Sequence, residues 1–468
     1  MDLRAYQRAR LARDPRFDGR FFIGVVTTGI YCRPICPAPS PKEENIRYYP
    51  SAAAAAEAGL RPCLRCRPEA SPGTPAWLGA SSTVSRALKL IGESALDDGG
   101  VEDLAERLGI GSRHLRRLFL KYLGATPVAV AQTRRVHFAK KLIDETGLSM
   151  TQVAMAAGFG SIRRFNATFH SLYGRTPREL RKAASRFSNG HEPGSYTFRI
   201  GYRPPYDWNS TISFLATRAI PGVETVTPDE YRRTIWIDGR AGAIAVRPAA
   251  KNYLELQIRY PDPAPLFRIV ERVRGIFDAG ADPAEIFRNF RRDATLSPLV
   301  RAYPGLRVPG CWDGFEMTVR AILGQQVSVK GASTMTGRVA AAFGSETEDG
   351  VLFPQAEALA EADLTRVGVT RSRSASIRAL AAATARGEIP FQGSLDPREF
   401  EERITHLPGI GPWTAQYVAM RLGQPDAFPA GDLYLRHVGS ESEAWRPWRA
   451  YAAMYLWLKS AGKGTQGG

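Results

Sequence analysis

The chain has 468 residues, 44% of them hydrophobic, enough for roughly three or four domains with ordinary cores. With 63 Lys and Arg against 46 Asp and Glu, its formal net charge is +17, and a polyanion is the expected partner. No apolar run approaches the ~18 residues of a membrane span. The opening MDLRAYQRARLARDPRF carries charges where a signal peptide needs an apolar stretch. No basic amphipathic tail or lipidation signal favours a membrane surface as the polyanion. These features predict a cytoplasmic, nucleoid-associated protein.

Four of the five cysteines fall in the first 66 residues, as the pairs Cys32/Cys36 and Cys63/Cys66. In a reducing compartment this spacing points to a tetrahedral four-thiolate zinc site rather than to disulfides. Between the pairs, Ser51 and the alanine run to Gly59 predict one short capped helix. A closed four-thiolate site has no open position for water, and it is ordinarily structural. It allows one chemistry, attack of a zinc-bound sulfur on an alkyl group, because zinc keeps the thiol deprotonated. The surrounding phrases are Asp14-Pro15, Asp18-Gly19, Thr27-Thr28-Gly29-Ile30-Tyr31-Cys32-Arg33-Pro34 and Arg61-Pro62-Cys63. They resemble the N-terminal domain of the Ada proteins. The resemblance implies that Cys32 irreversibly accepts methyl from a DNA methylphosphotriester while Cys36, Cys63 and Cys66 remain as ligands. Arg33, Arg61 and Arg65 are candidate phosphate contacts.

A Pro-rich stretch, Pro68 to Pro75, reads as a linker. Beyond Ser82 the pattern is helical. Val101 to Ile110 predicts an amphipathic helix and turn, and Ser112 then opens a helix exposing Arg113, His114, Arg116 and Arg117. About fifty residues on, Thr151 to Gly158 repeats the first helix and Ser161, Arg163, Arg164 and Asn166 open the second. Both second helices close similarly, with Tyr122-Leu123-Gly124-Ala125-Thr126-Pro127 and Tyr173-Gly174-Arg175-Thr176-Pro177. Two helix-turn-helix units with basic recognition helices suit successive major grooves, whereas a plain bundle with solvated arginines would not need the repeat. AMAAGFGSIRRFNATF and YGRTPREL resemble the AraC-type DNA-binding domain, which implies regulation at promoter sites and RNA polymerase as a partner.

After the polar connection Arg181 to Ser195, strands are predicted at Tyr196–Ile200, Thr234–Ile237, Ala243–Val246 and Tyr253–Ile258. Helices are predicted near Asn209–Ala219 and Ala264–Phe277. Pro204-Pro205-Tyr206-Asp207-Trp208, Phe214-Leu215-Ala216 and Val223-Glu224-Thr225-Val226 resemble the N-terminal α+β domain of AlkA-type glycosylases, and the resemblance brings Phe214 towards a base pocket. An ordinary buried Phe is the competing role.

Gly310 to Glu316 leads into a predicted long helix through Arg320 to Ser328, and Cys311 there fits a buried small apolar residue. Further on, Leu407-Pro408-Gly409-Ile410-Gly411 is a tight turn whose glycines allow close backbone approach, and Pro412 suits the first position of a helix to about Leu422. Amides at such a helix start bind anions, phosphate above all. Trp413 and Tyr417 share one helix face, and Asp432 is expected near the start of the next helix. Spacing alone equally fits core residues with an N-capping aspartate. LPGIGPWTA followed by Asp about twenty residues later resembles the helix-hairpin-helix DNA glycosylases of AlkA type. The resemblance implies a pocket lined by Trp413, Tyr417 and Trp457, a hairpin clamp at Gly409 and Gly411, a wedge at Gln326 and a catalytic carboxylate at Asp432. Trp413 stands where strand-cutting relatives carry a Schiff-base lysine, so a monofunctional enzyme is expected. No cysteine follows Cys311, and no iron–sulfur cluster is expected. Relatives have a longer segment than His437 to Ala444, a departure that bears on the pocket.

The predicted fold is multidomain, mainly α with α+β parts. It comprises a four-cysteine zinc domain (1–70), an AraC-type double helix-turn-helix (82–184), an AlkA N-terminal-like α+β domain (195–300) and an all-α helix-hairpin-helix glycosylase domain (301–468). The function read from it is alkylation-responsive regulation joined to excision of 3-methyladenine-type purines. Two alternatives are a regulator whose degenerate glycosylase region only adds DNA affinity, and a structural DNA-bridging protein.

Overall fold

The computed structural model describes residues 2–72, 82–97, 99–184, 193–391 and 396–464. They form two compact units, one of residues 1–204, 249–271 and 279–281, the other of 205–248, 272–278 and 282–468.

The first unit begins with a helix, Leu3–Leu11, capped by the Asp2 carboxylate on Ala5 N (3.0 Å). A four-stranded sheet follows, in the order Ile46–Tyr49, Phe22–Val25, Ile30–Cys32, Arg61–Pro62. Its last pair is parallel, with Tyr31 opposite Pro62 and Cys63 N donating to Tyr31 O (3.0 Å). That register sets Cys32 and Cys63 side by side. Ser51 caps the alanine helix Ala52–Glu57 as expected, and the small side chains let it pack closely: Ala55 on Phe22 and Tyr31, Ala53 and Ala54 on Ala125.

Among the described residues seven helices follow, including the two helix-turn-helix pairs Val101–Arg107 with Ser112–Leu123 and Met150–Ala156 with Ile162–Tyr173. The repeated Gly-x-Thr-Pro phrase has a physical reading. Gly124 (φ 67°) and Gly174 (φ 64°) end the recognition helices in the left-handed region. Thr126 and Thr176 accept from the amides of Ala129 and Glu179, and Pro127 and Pro177 start the next helices.

The helix Pro127–Glu145 is the hub of this unit. His137 Nε2 meets the Tyr31 hydroxyl (2.9 Å), and Ser51 Oγ donates to Leu123 O at the end of the first recognition helix (2.6 Å). Phe138 packs edge-on against Phe267 (4.8 Å) and beside Phe198, whose strand Ser195–Gly201 pairs antiparallel with Tyr253–Arg259. The expected linker is ordered at its start: Pro68–Ala70 is a 3-10 turn, and Glu69 joins Arg67, Lys140 and Asp144 in a buried ionic cluster. Charge pairing there outweighs the extended preference of a proline-rich segment. Residues 73–75 of that linker and most of the 181–195 connection lie outside the described residues, although Arg181–Ala184 continue the helix begun at Pro177.

The second unit contains the antiparallel run Glu224–Thr227, Glu230–Ile237, Arg240–Ala249 and the helix Trp208–Ala216, then a mainly helical body. The strand Glu224–Thr227 has no counterpart among the predicted strands; its short VETVT gives too little alternation to read. Arg233 and Arg320 bridge the buried carboxylates of Glu224 and Glu316, tying strand Glu230–Ile237 to helix Gly314–Leu323. The expected long helix through Ser328 is instead broken: one helix ends at Leu323, the next runs Val329–Phe343, and Ser328 caps it through Gly331 N (3.1 Å). Helices Arg371–Ala385, Pro397–Thr405, Pro412–Arg421 and Arg449–Gly464 complete the frame around the hairpin.

Candidate functional site

In the first unit, the Cys32, Cys36, Cys63 and Cys66 sulfurs all lie within 4.8 Å of one another, and none is in a disulfide. Ligands on bonds of about 2.3 Å around a tetrahedral zinc need such separations, so the donor set fits zinc. Cys66 is buried and its sulfur accepts the Arg33 amide (3.3 Å), whereas Cys32 is half-buried at a strand end.

Arg33 corrects an expectation. Its side chain is not at the surface: it is 4% exposed and paired with Asp18, Nε to Oδ1 2.9 Å, with further donation to Cys66 O (3.1 Å) and Tyr253 Oη (3.4 Å). The Asp18-Gly19 phrase therefore supplies the counter-ion that brings the arginine inside. Arg61 and Arg65 are exposed. Arg33→Met is expected to destabilise the zinc-loaded unit by about 3–5 kcal/mol, the cost of stranding Asp18. Chemical denaturation checks this, and an unchanged midpoint returns Arg33 to phosphate binding.

On the recognition helices, Arg113, His114, Arg116, Arg117, Ser161, Arg163, Arg164 and Asn166 are all exposed. Ser161 also caps its helix through Arg164 N (3.2 Å), Arg116 pairs loosely with Glu102 (3.3 Å), and Arg117 bonds His114 Nδ1 (2.8 Å).

In the second unit the hairpin turn is built by a steric demand. Gly409 has φ 74°, and a Cβ there would lie 2.2 Å from Ser376 Oγ. Gly411 is the cap residue and Pro412 the first residue of helix Pro412–Arg421; both glycines are exposed. Gln325 Nε2 ties the preceding loop to the turn, donating to Gly409 O (2.8 Å) and Thr414 Oγ1 (3.1 Å), and Arg373 holds Gln325 O. Gln326 beside it is exposed, with φ 56°. A left-handed non-glycine residue at a loop tip is uncommon, and it is held by its neighbours.

Trp413 and Tyr417 stack with centroids 5.5 Å apart and planes at 3°. Trp457 meets Tyr417 edge-on (6.2 Å) and donates from Nε1 to Asp432 Oδ1 (3.0 Å). The structure thus gathers Trp413, Tyr417, Trp457 and Asp432 from three segments. Asp432 does not start a helix: residues 433–437 form a turn, with Oδ1 accepting Tyr434 N (2.9 Å) and a 3-10 helix only at Gly439–Trp445. The segment after Asp432 thus holds a 3-10 helix of seven residues where an α-helix was expected.

Two residues escaped the sequence reading. Arg421 is buried, anchored to Pro309 O (2.6 Å) and Gly310 O (2.8 Å), and donates to the Tyr417 hydroxyl (3.2 Å). Its guanidinium lies 5.0 Å from the Phe214 ring, and that of Arg218 lies 3.8 Å from it. Phe214 is therefore engaged by protein cations. Burial pushes the Tyr417 phenol up, but Arg421, Arg218 and Arg320 outweigh it and hold the group below its ordinary range. The cue available in sequence was only a charged residue four places after Tyr417, which ordinarily faces solvent.

Four domain families match the chain in order: the metal binding domain of Ada over residues 5–69, a helix-turn-helix domain over 104–183, the AlkA N-terminal domain over 197–313, and the HhH-GPD superfamily base excision DNA repair protein over 319–459. A Mycobacterium tuberculosis H37Rv protein, described as a probable bifunctional transcriptional activator/DNA repair enzyme AlkA, is 40% identical over 97% of this chain and 96% of its own length. The chain belongs to this bifunctional activator and repair family. Its parts separate among other relatives. DNA-3-methyladenine glycosylase 2 of Escherichia coli K12 is 32% identical over 56% of this chain and 96% of its own length. The bifunctional activator/repair enzyme AdaA of Bacillus subtilis is 31% identical over 37% of this chain and 81% of its own length. A 3-methyladenine DNA-glycosylase structure from Archaeoglobus fulgidus shares the fold of the second half, with 24% identity, a TM-score of 0.50, and coverage of 56% of this chain and 97% of its own. This family member joins an Ada-type metal-binding and helix-turn-helix regulator to a base-excision glycosylase. No helix among the described residues is long and apolar enough to cross a membrane.

Proposed function

We propose that Cys32 takes methyl from a DNA methylphosphotriester, that the methylated chain activates repair genes at promoter sites with RNA polymerase, and that Asp432 serves excision of 3-methyladenine-type purines. The gathering of an aromatic pair, a second tryptophan and a carboxylate beside the hairpin carries the excision reading.

In the first reaction Cys32 Sγ attacks the methyl carbon. The S–C bond forms as the C–O bond breaks, and the phosphodiester oxygen leaves with the electron pair. Zinc, when bound, supplies the deprotonated thiol at neutral pH. Four thiolates on a dication total −2, and one methylation makes the site −1. Repulsion of DNA phosphate falls accordingly. Methylated protein is expected to bind its promoter more tightly at low salt, with the gain shrinking as salt rises, because the difference is electrostatic. Equal or weaker affinity after methylation, measured across a salt series, would remove the charge switch.

In the second reaction the damaged nucleotide leaves the stack, since its glycosidic bond cannot be reached inside a duplex. The hairpin amides at Gly409–Gly411 bind the backbone, and Gln326 fills the gap. An N3- or N7-alkylated purine is cationic, stacks on electron-rich rings and leaves as a neutral base without a general acid. The Asp432 carboxylate stabilises the positive sugar and orients water, whose oxygen bonds to C1′ as the C1′–N bond breaks and whose released proton passes to the carboxylate and on to solvent. An abasic site remains. Trp413 in place of a lysine supports a monofunctional enzyme, and the chemistry needs no iron–sulfur cluster. The basic charge and family suit work at the nucleoid in the cytoplasm. The regulator-only alternative draws on the short segment after Asp432. The Asp432–Trp457 bond favours an assembled site. Release of free base from methylated duplex by the intact chain decides between them.

A further inference from the structure

The aromatic cluster carries three polar hydrogen-bonding groups. Trp457 Nε1 donates to Asp432 Oδ1 (3.0 Å), and the Tyr417 hydroxyl accepts from Arg421 Nη1 (3.2 Å). Trp413 Nε1 is buried and has no partner in the protein. Buried donors in folded proteins are paired in the great majority of cases, and an indole N–H can only donate. An exception in a functional site calls for an explanation. Packing offers none, since the neighbouring Trp457 shows that this environment can satisfy an indole donor.

The position of the orphan is informative. A Cβ added to Gly431 would lie 3.5 Å from Trp413 Cβ and 3.8 Å from Cδ1, the ring carbon bonded to Nε1. The pyrrole edge of Trp413 therefore lies against the residue immediately before Asp432. The unpaired N–H, one bond from Cδ1, is thus on the ring edge that borders the Gly431-Asp432 segment.

We infer that Trp413 Nε1–H is a hydrogen-bond donor to a ring nitrogen of the extruded purine, beyond its stacking role. This rests on the glycosylase reading above. A purine alkylated at N3 keeps lone pairs at N1 and N7, so it presents an acceptor on its Watson–Crick and on its Hoogsteen edge. Stacking accepts any flat base; a directed donor selects among them by where their acceptors lie. The desolvated donor is left unpaired by a base lacking an acceptor there, and such mismatches discriminate strongly.

The test uses the full zinc-loaded chain and free 3-methyladenine as inhibitor of base release, with its 1-deaza and 7-deaza analogues. Trp413→Phe keeps an aromatic ring and removes the donor. The inhibition constant of 3-methyladenine is expected to rise about tenfold in the variant, the size of one hydrogen bond. In the wild type, one deaza analogue is expected to lose about as much, and to lose nothing further in the variant, as a double-mutant cycle requires. If both analogues inhibit the wild type as well as 3-methyladenine does, or all three compounds lose equally in the variant, Trp413 only stacks. Absence of inhibition in a chain that releases base also overturns the inference. A wild type that releases no base overturns the glycosylase reading instead. Should Trp413→Phe fail to fold, benzothienylalanine at 413, with sulfur replacing the N–H, keeps ring volume and stacking and gives the same readout.

Discussion

Asp432→Asn is expected to lower release of alkylated base from methylated duplex DNA by at least about a hundredfold, while DNA binding persists. The size follows from what one well-placed electrostatic group contributes to a charged transition state, on the order of 10²–10³ in rate. Asparagine is the right replacement because both protein hydrogen bonds to this side chain, from Trp457 Nε1 and Tyr434 N, go to Oδ1. An amide oxygen can accept both in the same geometry. The variant then keeps both protein hydrogen bonds and loses the charge, and the second oxygen that the sugar needs is replaced by an uncharged NH2 group. Single-turnover release of free base, with binding measured on the same duplex, separates the two outcomes. Undiminished release would make Asp432 a turn-capping residue, the role its Tyr434 contact by itself describes.

Cys32→Ala is expected to remove methyl uptake from alkylated DNA altogether, since a covalent acceptor has no substitute. Replacing any of the four removes a zinc ligand, which lowers zinc affinity and destabilises the small sheet that the metal closes, but only the Cys32 replacement removes the sulfur that is expected to carry the methyl. The asymmetry has a local basis. Cys66 is buried and its sulfur accepts the Arg33 amide at 3.3 Å, which stabilises the charge on that thiolate and reduces its reactivity. Cys32 is half-buried at the end of strand Ile30–Cys32. Labelled methyl recovered in a peptide carrying Cys36, Cys63 or Cys66, or uptake persisting in Cys32→Ala with zinc retained, would move the acceptor elsewhere.

The sequence by itself determined the local frames of the candidate residues. Cys pairs at metal spacing, Gly-x-Thr-Pro after each recognition helix, and Leu-Pro-Gly-Ile-Gly-Pro before Trp413 are short-range signals. Each depends on a φ value, a cap or a ligand spacing that a few consecutive residues impose. The helices Ala52–Glu57, Ser112–Leu123, Ile162–Tyr173 and Pro412–Arg421 were legible for that reason. What only the tertiary structure decided depends on partners far apart in the chain. Arg33 reads as a phosphate ligand until Asp18 is seen to bury it. The proline-rich start of Pro68–Pro75 reads only as a linker until Glu69 meets Arg67 and Lys140. The region after Asp432 reads as a helix start, yet the short segment to Trp445 and the bond to Trp457, 25 residues away, hold it as a turn. Arg421 reads as a solvated helix residue until the carbonyls of Pro309 and Gly310 capture it beneath Tyr417. Burial of a charge or of an indole N–H is favourable only where long-range partners compensate its desolvation, and a linear pattern carries no record of which distant group will arrive.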